Sequence, residues 1–253
     1  MQDRVPVVVV GAGPAGLAAA ISLARLGIET MLVERRAELS SLPRATAVSL
    51  RSMELMRSWG VEDAIRAGGV DVEWRGWQSQ TLATVAAGSM WPVGLPTREQ
   101  SAVLSPTAPA CVPQDHLEPV LLEHLRSLGA TRVHLGTEVV GVANGPDGVE
   151  VGLRHVASGE VRTVRARYVI AADGAHSRIR TALGIAMRGP DRLAHVVNAL
   201  FRAPLWPLVG EHRYGIYAVE HPDGAGVFLP SGRGDRWGYG IWVDARDLGR
   251  PGV

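Results

Sequence analysis

The 253-residue chain predicts an α/β fold, in which a parallel sheet carries helices and a three-stranded antiparallel meander and leads into a second, β-sheet region. Three observations predict it. A β-branched run, Val5 to Val10, enters a glycine-rich turn and then a helical repeat. A second apolar run, Tyr168 to Ala172, ends on another tight turn, Asp173-Gly174. Beyond Gly189, β-like runs are separated by turns rich in proline and glycine.

The first element sets the frame for the rest. Val5 to Val10 has the pattern of a strand buried on both faces. It runs into Gly11-Ala12-Gly13-Pro14-Ala15-Gly16, after which Leu17, Ile21 and Ala24 repeat at helical spacing and Gly27 closes the helix. Thr30 to Val33 is a second strand ending on Glu34. Gly11 makes the tight turn, Gly13 allows a pyrophosphate to approach the backbone, and Gly16 allows helix and strand to pack closely. The helix N-terminus presents N–H groups and the positive end of its dipole to the phosphates. An acid about twenty residues on completes the fingerprint. Glu34 would accept hydrogen bonds from a ribose 2′-OH and repel a 2′-phosphate. The unit therefore predicts an adenine dinucleotide without a 2′-phosphate, FAD or NAD.

Arg35-Arg36 and a loop through Pro43 lead to Arg44. From Ala45 a helix is predicted, with Leu50, Met53, Met56 and Trp59 on one face and Gly60 as its stop. Arg44 then sits at the mouth of that helix, either as a guanidinium over the pyrophosphate or as a solvated loop arginine. Asp63 to Gly69 predicts a short helix. Asp71 to Thr84 is β-like, and its Trp74 and Trp77 suit sheet packing better than a planar-ligand pocket. Residues 88–113 predict a loop excursion. Asp115-His116-Leu117-Glu118 has capping-box spacing, and Leu117, Leu121, Leu125 and Leu128 mark the buried face of the helix that follows. His116 and His124 on this helix lack partners at ligand spacing, so no metal site is expected. Arg132 to Ala143, Val149 to Val156 and Val161 to Arg167 predict the meander, inserted before the buried strand Tyr168 to Ala172. A helix then runs to about Leu183. His195 to Phe201, Tyr214 to Glu220, Ala225 to Leu229 and Trp237 to Val243 predict four further strands.

Composition sets broad limits. Apolar content of 46%, charged content of 20% and a net charge of +1 describe a globular protein with no electrostatic reason to expect nucleic acid or a membrane as partner. The apolar N-terminus follows Asp3 and has no basic flank, so it is not expected to be a signal peptide. The lone cysteine, Cys111, precludes an internal disulfide and fits a reducing cytoplasm. It is expected to be a small buried filler.

Asp173-Gly174 puts a carboxylate at the carboxyl edge of the sheet, where ligands of doubly wound folds sit. Ser177 and Arg180 follow at one-turn spacing. His176 suits a polar turn position better than a proton relay. Gly11 to Gly16 with Glu34, Arg44, Gln114 before the Asp115 helix, and Asp173-Gly174-x-x-Ser177-x-x-Arg180 occur together in this order. The combination resembles the class A flavoprotein monooxygenases, the p-hydroxybenzoate hydroxylase-like group, and within it the hydroxylases of aromatic polyketides. The resemblance covers about Val5 to Leu183 and continues more loosely through the Trp237 strand.

The resemblance implies a Rossmann-like FAD-binding domain, residues 1–72 with 98–187, and a substrate-binding β-sheet region, residues 73–97 with 188–253. It implies that Gly11, Gly13 and Gly16, with Pro14 and Ala15 of the same turn, hold the FAD pyrophosphate. Glu34 would hold the adenosine ribose, with Arg35 beside it, and Arg44 the phosphates. Gln114 would meet the ribityl-phosphate portion. Asp173 and Gly174 would contribute to FAD binding, and Asp173 with Arg180 to NAD(P)H use. The implied reaction is hydroxylation of an electron-rich ring by NAD(P)H and O2 through a flavin C4a-hydroperoxide. The cofactor carries that chemistry, and no separate catalytic residue is assigned.

The family also has a later motif, a Gly-Asp followed by an Ala-His-like stretch and a helix. Gly234-Asp235 is no substitute, because it lies in a Gly-Arg-Gly-Asp-Arg turn and leads into Trp237. The 253 residues are therefore expected to be an FAD- and substrate-binding fragment, to be completed by another chain, or to be a flavin-binding module without turnover; the partners to look for are a second chain or a homo-oligomer. A flavin halogenase or prenyl-chain reductase would keep the fold, but Trp74 and Trp77 are too far apart for the halogenase signature. An NAD-dependent dehydrogenase lacks its acid/base constellation. The substrate's identity and the choice between NADH and NADPH are not legible.

Overall fold

A computed structural model describes residues 3–190 and 193–243. In chain order the elements are β1 (Asp3–Val10), α1 (Pro14–Arg25), β2 (Thr30–Glu34), β3 (Ala47–Val48), α2 (Leu50–Ser58), α3 (Glu62–Arg66), β4 (Glu73–Ser79), β5 (Ser89–Trp91), α4 (Arg98–Leu104), β6 (Ala110–Cys111) and α5 (Gln114–Ser127). There follow β7 (Thr131–Leu135), β8 (Thr137–Gly145), β9 (Gly148–His155), β10 (Val161–Ala171), α6 (Arg178–Ala182), β11 (His195–Arg202), α7 (Trp206–Val209), β12 (Tyr214–Val219), β13 (Gly226–Pro230) and β14 (Arg236–Val243). The chain forms two compact units, Met1–Leu42 with Leu117–Arg188, and Pro43–His116 with Gly189–Val253. Positions 1–2, 191–192 and 244–253 of the regions assigned from sequence lie outside the described residues. No helix among the described residues is long and apolar enough to cross a membrane.

The first unit is a six-stranded sheet in the order β7-β2-β1-β10-β9-β8. β7, β2, β1 and β10 run parallel, and β10, β9 and β8 form the antiparallel meander. Valines dominate its core because a parallel sheet buried on both faces favours β-branched side chains. Val5, Val8, Val10, Met31, Val33, Val151, Leu153 and Val164 form one apolar cluster. Leu17, Ala20 and Ile21 bury one face of α1.

Two boundaries differ from the sequence expectation. Arg132 to Ala143 is two strands, because Gly136 adopts a left-handed φ of 66° and the chain turns there. β7 joins the parallel sheet and β8 the meander. Conversely, Val161 to Arg167 and Tyr168 to Ala172 are one strand, β10, broken by no turn. β1 pairs along it continuously, from Asp3 opposite Val164 to Val10 opposite Ala171, whereas β9 pairs only with Val161 to Ala166. The third strand of the meander and the buried strand are the same piece of backbone.

The second unit holds a six-stranded sheet in the order β11-β14-β13-β12-β4-β5. Its core is aromatic: Tyr217 and Trp237 are fully buried, with Trp77, Trp206 and Tyr214 packed against their cluster. Trp77 stacks on Tyr214 at 4.7 Å between centroids, and its indole N–H donates to the Val85 carbonyl at 2.6 Å. Trp74 is buried with Val72 and Cys111. Both tryptophans are packing residues.

Here two further expectations are corrected. The predicted loop over residues 88–113 contains β5, α4 and β6. α4 is secured by a capping box in which Thr97 and Gln100 serve each other's backbone N–H groups. The helix predicted from Ala45 begins at Leu50, with the Ser49 hydroxyl accepting from the Ser52 N–H. Ala47 and Val48 instead pair with Cys111 and Ala110.

Candidate nucleotide site

Within the first unit, β1 delivers the chain to Gly11, whose φ of 102° is open to glycine and rarely to other residues. A Cβ on Gly11 would strike the Ala172 carbonyl oxygen at the end of β10, and one on Gly16 would strike the Gly11 carbonyl oxygen. Gly11 N–H donates to the Val33 carbonyl at 2.8 Å, which ties the turn to β2. At Gly13 the surroundings are open: apart from its chain neighbours, a Cβ would meet first the Glu118 carboxylate, at 4.0 Å. The three glycines thus differ in the way the fingerprint requires. Gly11 and Gly16 are closed by protein backbone, and Gly13 faces space a ligand can use.

No side chain caps α1, and Pro14 at its first position has no N–H. The N–H groups of Ala15 and Gly16 have no intrahelical acceptor and lie at the positive end of the helix dipole. Glu34 closes the other side. One carboxylate oxygen accepts from the Ala12 N–H at 2.9 Å and the other from the Arg36 N–H at 2.9 Å. The sheet therefore brings Glu34 to the glycine turn, and each oxygen keeps a second lone pair. Arg35 is exposed beside it.

Asp173 follows β10 at the same carboxyl edge of the sheet. One of its oxygens accepts from the Ile179 N–H at 3.2 Å, while the other is buried without a hydrogen-bond partner. A buried carboxylate oxygen left unpaired is costly, and a ligand hydroxyl is the group that would satisfy it. Gly174 has a φ of 85° and open surroundings. Ser177 caps α6 by accepting from the Arg180 N–H at 3.0 Å, and the Arg180 guanidinium donates to the Ile185 carbonyl at 3.0 Å. Arg180 is thus held as a brace at the end of α6. His176 is an exposed turn residue.

The second unit places the other two predicted residues together. Arg44 lies in an exposed bend, not at a helix mouth. Val112 N–H donates to the Thr46 carbonyl at 2.8 Å and Gln114 N–H to the Ala45 carbonyl at 3.0 Å. These bonds extend the β3–β6 ladder, so Gln114, the first residue of α5, lies beside the residue that follows Arg44. Asp115 does not cap the helix as its spacing suggests. Its carboxylate pairs with Arg236 at 2.7 Å. His116 meets the Ala64 carbonyl at 2.9 Å through Nε2. Cys111 is buried, and burial pushes its thiol up to about 12.

Glu118 is the residue the sequence reading missed. It is only 3% exposed, and its carboxylate is the side-chain group nearest the open face of Gly13. The available signal was an acid sharing a helix face with Leu121, Leu122 and Leu125, where a surface capping acid does not belong.

The fold and these residues fit a bound adenine dinucleotide, and comparison with known proteins gives the same result. A sequence model of the FAD binding domain matches residues 4–250. Aklavinone 12-hydroxylase of Streptomyces peucetius subsp. caesius is 38% identical over 257 residues, which cover 99% of this chain and 52% of that protein. Tetracenomycin A2 monooxygenase-dioxygenase of Streptomyces glaucescens is 35% identical over 97% of this chain and 47% of its own length. Among solved structures, aklavinone-11 hydroxylase in complex with FAD and aklavinone superposes with a TM-score of 0.83 at 32% identity, over 99% of this chain and 48% of that one. The flavin-dependent monooxygenase PieE in complex with FAD and substrate gives a TM-score of 0.85 at 27% identity, over 97% and 44%. The chain spans about half the length of the curated relatives it matches.

Proposed function

We infer the function of this chain from the family to which it belongs, that of the FAD binding domain. It is an FAD-dependent monooxygenase that hydroxylates an aromatic, polyketide-type substrate with NAD(P)H and O2, or the FAD- and substrate-binding portion of such an enzyme. The observation that carries this reading is the glycine turn. Gly11 and Gly16 are shut by backbone, Gly13 is open, and Glu34 is already bonded to the Ala12 N–H. The named relatives, an aklavinone 12-hydroxylase and a tetracenomycin A2 monooxygenase-dioxygenase, supply the reaction class.

On this reading Gly11, Gly13, Pro14, Ala15 and Gly16 receive the pyrophosphate through backbone N–H groups and the α1 dipole. Glu34, with Arg35 beside it, receives the adenosine ribose, and Arg44 adds positive charge to the phosphates. Gln114 meets the ribityl-phosphate portion. Asp173 and Gly174 take ligand hydroxyls, and Asp173 with Arg180 serves the use of NAD(P)H. Bound FAD supplies the redox chemistry between NAD(P)H and O2. The protein's part is to bind, orient and exclude water. Residues 1–72 with 98–187 would form the FAD-binding domain, and 73–97 with 188–253 the substrate region. The lone buried thiol suits the reducing cytoplasm.

The test is direct. Residues 1–253 are incubated with FAD and gel-filtered, and the visible spectrum of the protein peak is recorded beside that of Glu34→Arg. The expected result is yellow parent protein and a colourless variant, since the arginine removes both acceptors and adds a guanidinium at the ribose. Equal flavin retention by both proteins would remove Glu34 from the site. A parent that stays colourless even when extended to the full length of its relatives would overturn the flavoprotein reading.

A further inference from the structure

The Gly232-Arg233-Gly234-Asp235 turn is not the family's later motif, and within the second unit it is tied down on two sides. Ser231 N–H closes it on the Arg236 carbonyl at 2.8 Å. The Arg202 guanidinium donates to the Gly234 carbonyl at 2.7 Å, and Ala203 N–H to the Asp235 carbonyl at 2.9 Å. Asp235 takes a φ of 52°, a conformation that costs a non-glycine residue free energy and persists only where neighbours fix it.

The other side of the turn faces the segment ahead of α5. A Cβ on Gly232 would lie 2.8 Å from the Pro113 ring and 3.1 Å from the Gly68 carbonyl oxygen. The Cys111 thiol donates to the Pro230 carbonyl at 3.6 Å. Arg236 meets Asp115 at 2.7 Å, with side chains only 17% and 14% exposed. Gln114 lies between Pro113 and Asp115, so the residues on both its flanks are gripped by this one turn. Its own N–H donates to the Ala45 carbonyl at 3.0 Å.

We propose that the Ser231–Arg236 turn is a positioning device for Gln114, in which Gly232 and the Arg236–Asp115 pair fix the first residue of α5 for its ligand. The proposal rests on the assignment of Gln114 to FAD. Arg236 and Asp115 are positioning residues, and they act by deciding where the α5 backbone begins. A surface pair would do little of this, but a largely buried one is strongly destabilised when one partner is removed, because the other charge is left uncompensated.

The experiment uses the full chain and two probes. FAD and ADP share the adenosine and diphosphate that the glycine turn reads, but only FAD carries the ribityl chain. Dissociation constants for both are measured for the parent, Gln114→Ala, Arg236→Met, Arg236→Lys and the shape-conserving Asp115→Asn. Arg236→Met is expected to weaken FAD about tenfold, in step with Gln114→Ala, while ADP binding is unchanged. Asp115→Asn should show the same selectivity at a smaller size, and Arg236→Lys should recover most of the loss. Impaired FAD binding in Gln114→Ala with unimpaired Arg236→Met and Asp115→Asn would overturn the positioning role and leave the Gln114 assignment standing. Parallel loss of FAD and ADP in the Arg236 and Asp115 variants would overturn it in favour of a general structural role. A Gln114→Ala protein that binds FAD like the parent would remove both the Gln114 assignment and the proposal built on it.

Discussion

The two units solve the same problem, covering a six-stranded sheet, with different materials. The first uses valine, leucine and methionine, and its fully buried side chains include Leu17, Met31 and Leu32. The second uses Trp237 and Tyr217, with Trp206, Trp77 and Tyr214 around them. Small branched side chains let strands, helix and glycine turn approach until backbone meets backbone, as at Gly16 and the Gly11 carbonyl. Large rings bury more area each and prefer particular relative angles. On the proposed reading, a unit that presents N–H groups to a diphosphate gains from the first arrangement.

This contrast can be broken from either side. The largest effect on flavin binding is expected for Gly16→Val, which forces a branched side chain into the Gly11 carbonyl. It should destabilise the fold by about 3 kcal/mol and abolish flavin retention on gel filtration, because the collision is with backbone that cannot step aside. Trp237→Ala empties the centre of the aromatic core and should cost about 4 kcal/mol in urea unfolding. Near-UV circular dichroism should collapse, while ADP titration of the folded fraction should be near that of the parent. Equal losses of ADP binding in the two variants would erase the division of labour.

Two smaller effects sharpen the picture of the second unit. With its thiol pushed up to about 12 by burial, Cys111 should resist iodoacetamide in the native protein at mildly alkaline pH and react fully in denaturant. Rapid native labelling, followed by mass spectrometry, would show that the segment before α5 opens. The smallest effect concerns Glu62. Burial raises its pKa, but hydrogen bonds from Thr107, Arg66 and Arg57 outweigh burial and hold it below its ordinary 4.5. A depressed folded value means that the stabilisation is complete above the unfolded carboxyl's range and is lost as pH falls through the folded value. Thermal midpoints should therefore drop more steeply below about pH 4.5 in the parent than in Glu62→Gln. Parallel curves would remove Glu62 from the acid response.

The β1–α1–β2 unit was legible because its signals are local. Val5 to Val10, three glycines and Glu34 lie within one stretch, and each acts on near neighbours. Arg44 and Gln114 could be named as candidates, but their being side by side could not, because the β3–β6 pair that joins them is two residues long and has no period to read. The Asp115 carboxylate was misread because its partner, Arg236, is far along the chain. β10 was divided because β9 pairs with Val161 to Ala166 and β1 with Val164 to Ala171, so its partners change partway along. α4 was overlooked in a stretch rich in Pro, Ser and Thr, although Thr97 and Gln100 carried its cap. Glu118 was read only as the last residue of a capping box, and that reading carries no information about its burial.

The bonds Glu34 makes to Ala12 and Arg36 bear on how this protein could change. One carboxylate both shapes the turn and, on the proposed reading, chooses the ribose. A lineage drifting toward a phosphorylated ribose could not simply exchange the acid for a basic residue, because the exchange would also strand the Ala12 N–H. A second substitution supplying a new acceptor would have to come first or arrive together with it. Cofactor preference at this position is therefore evolutionarily sticky: most single steps away from it pass through a loosened turn.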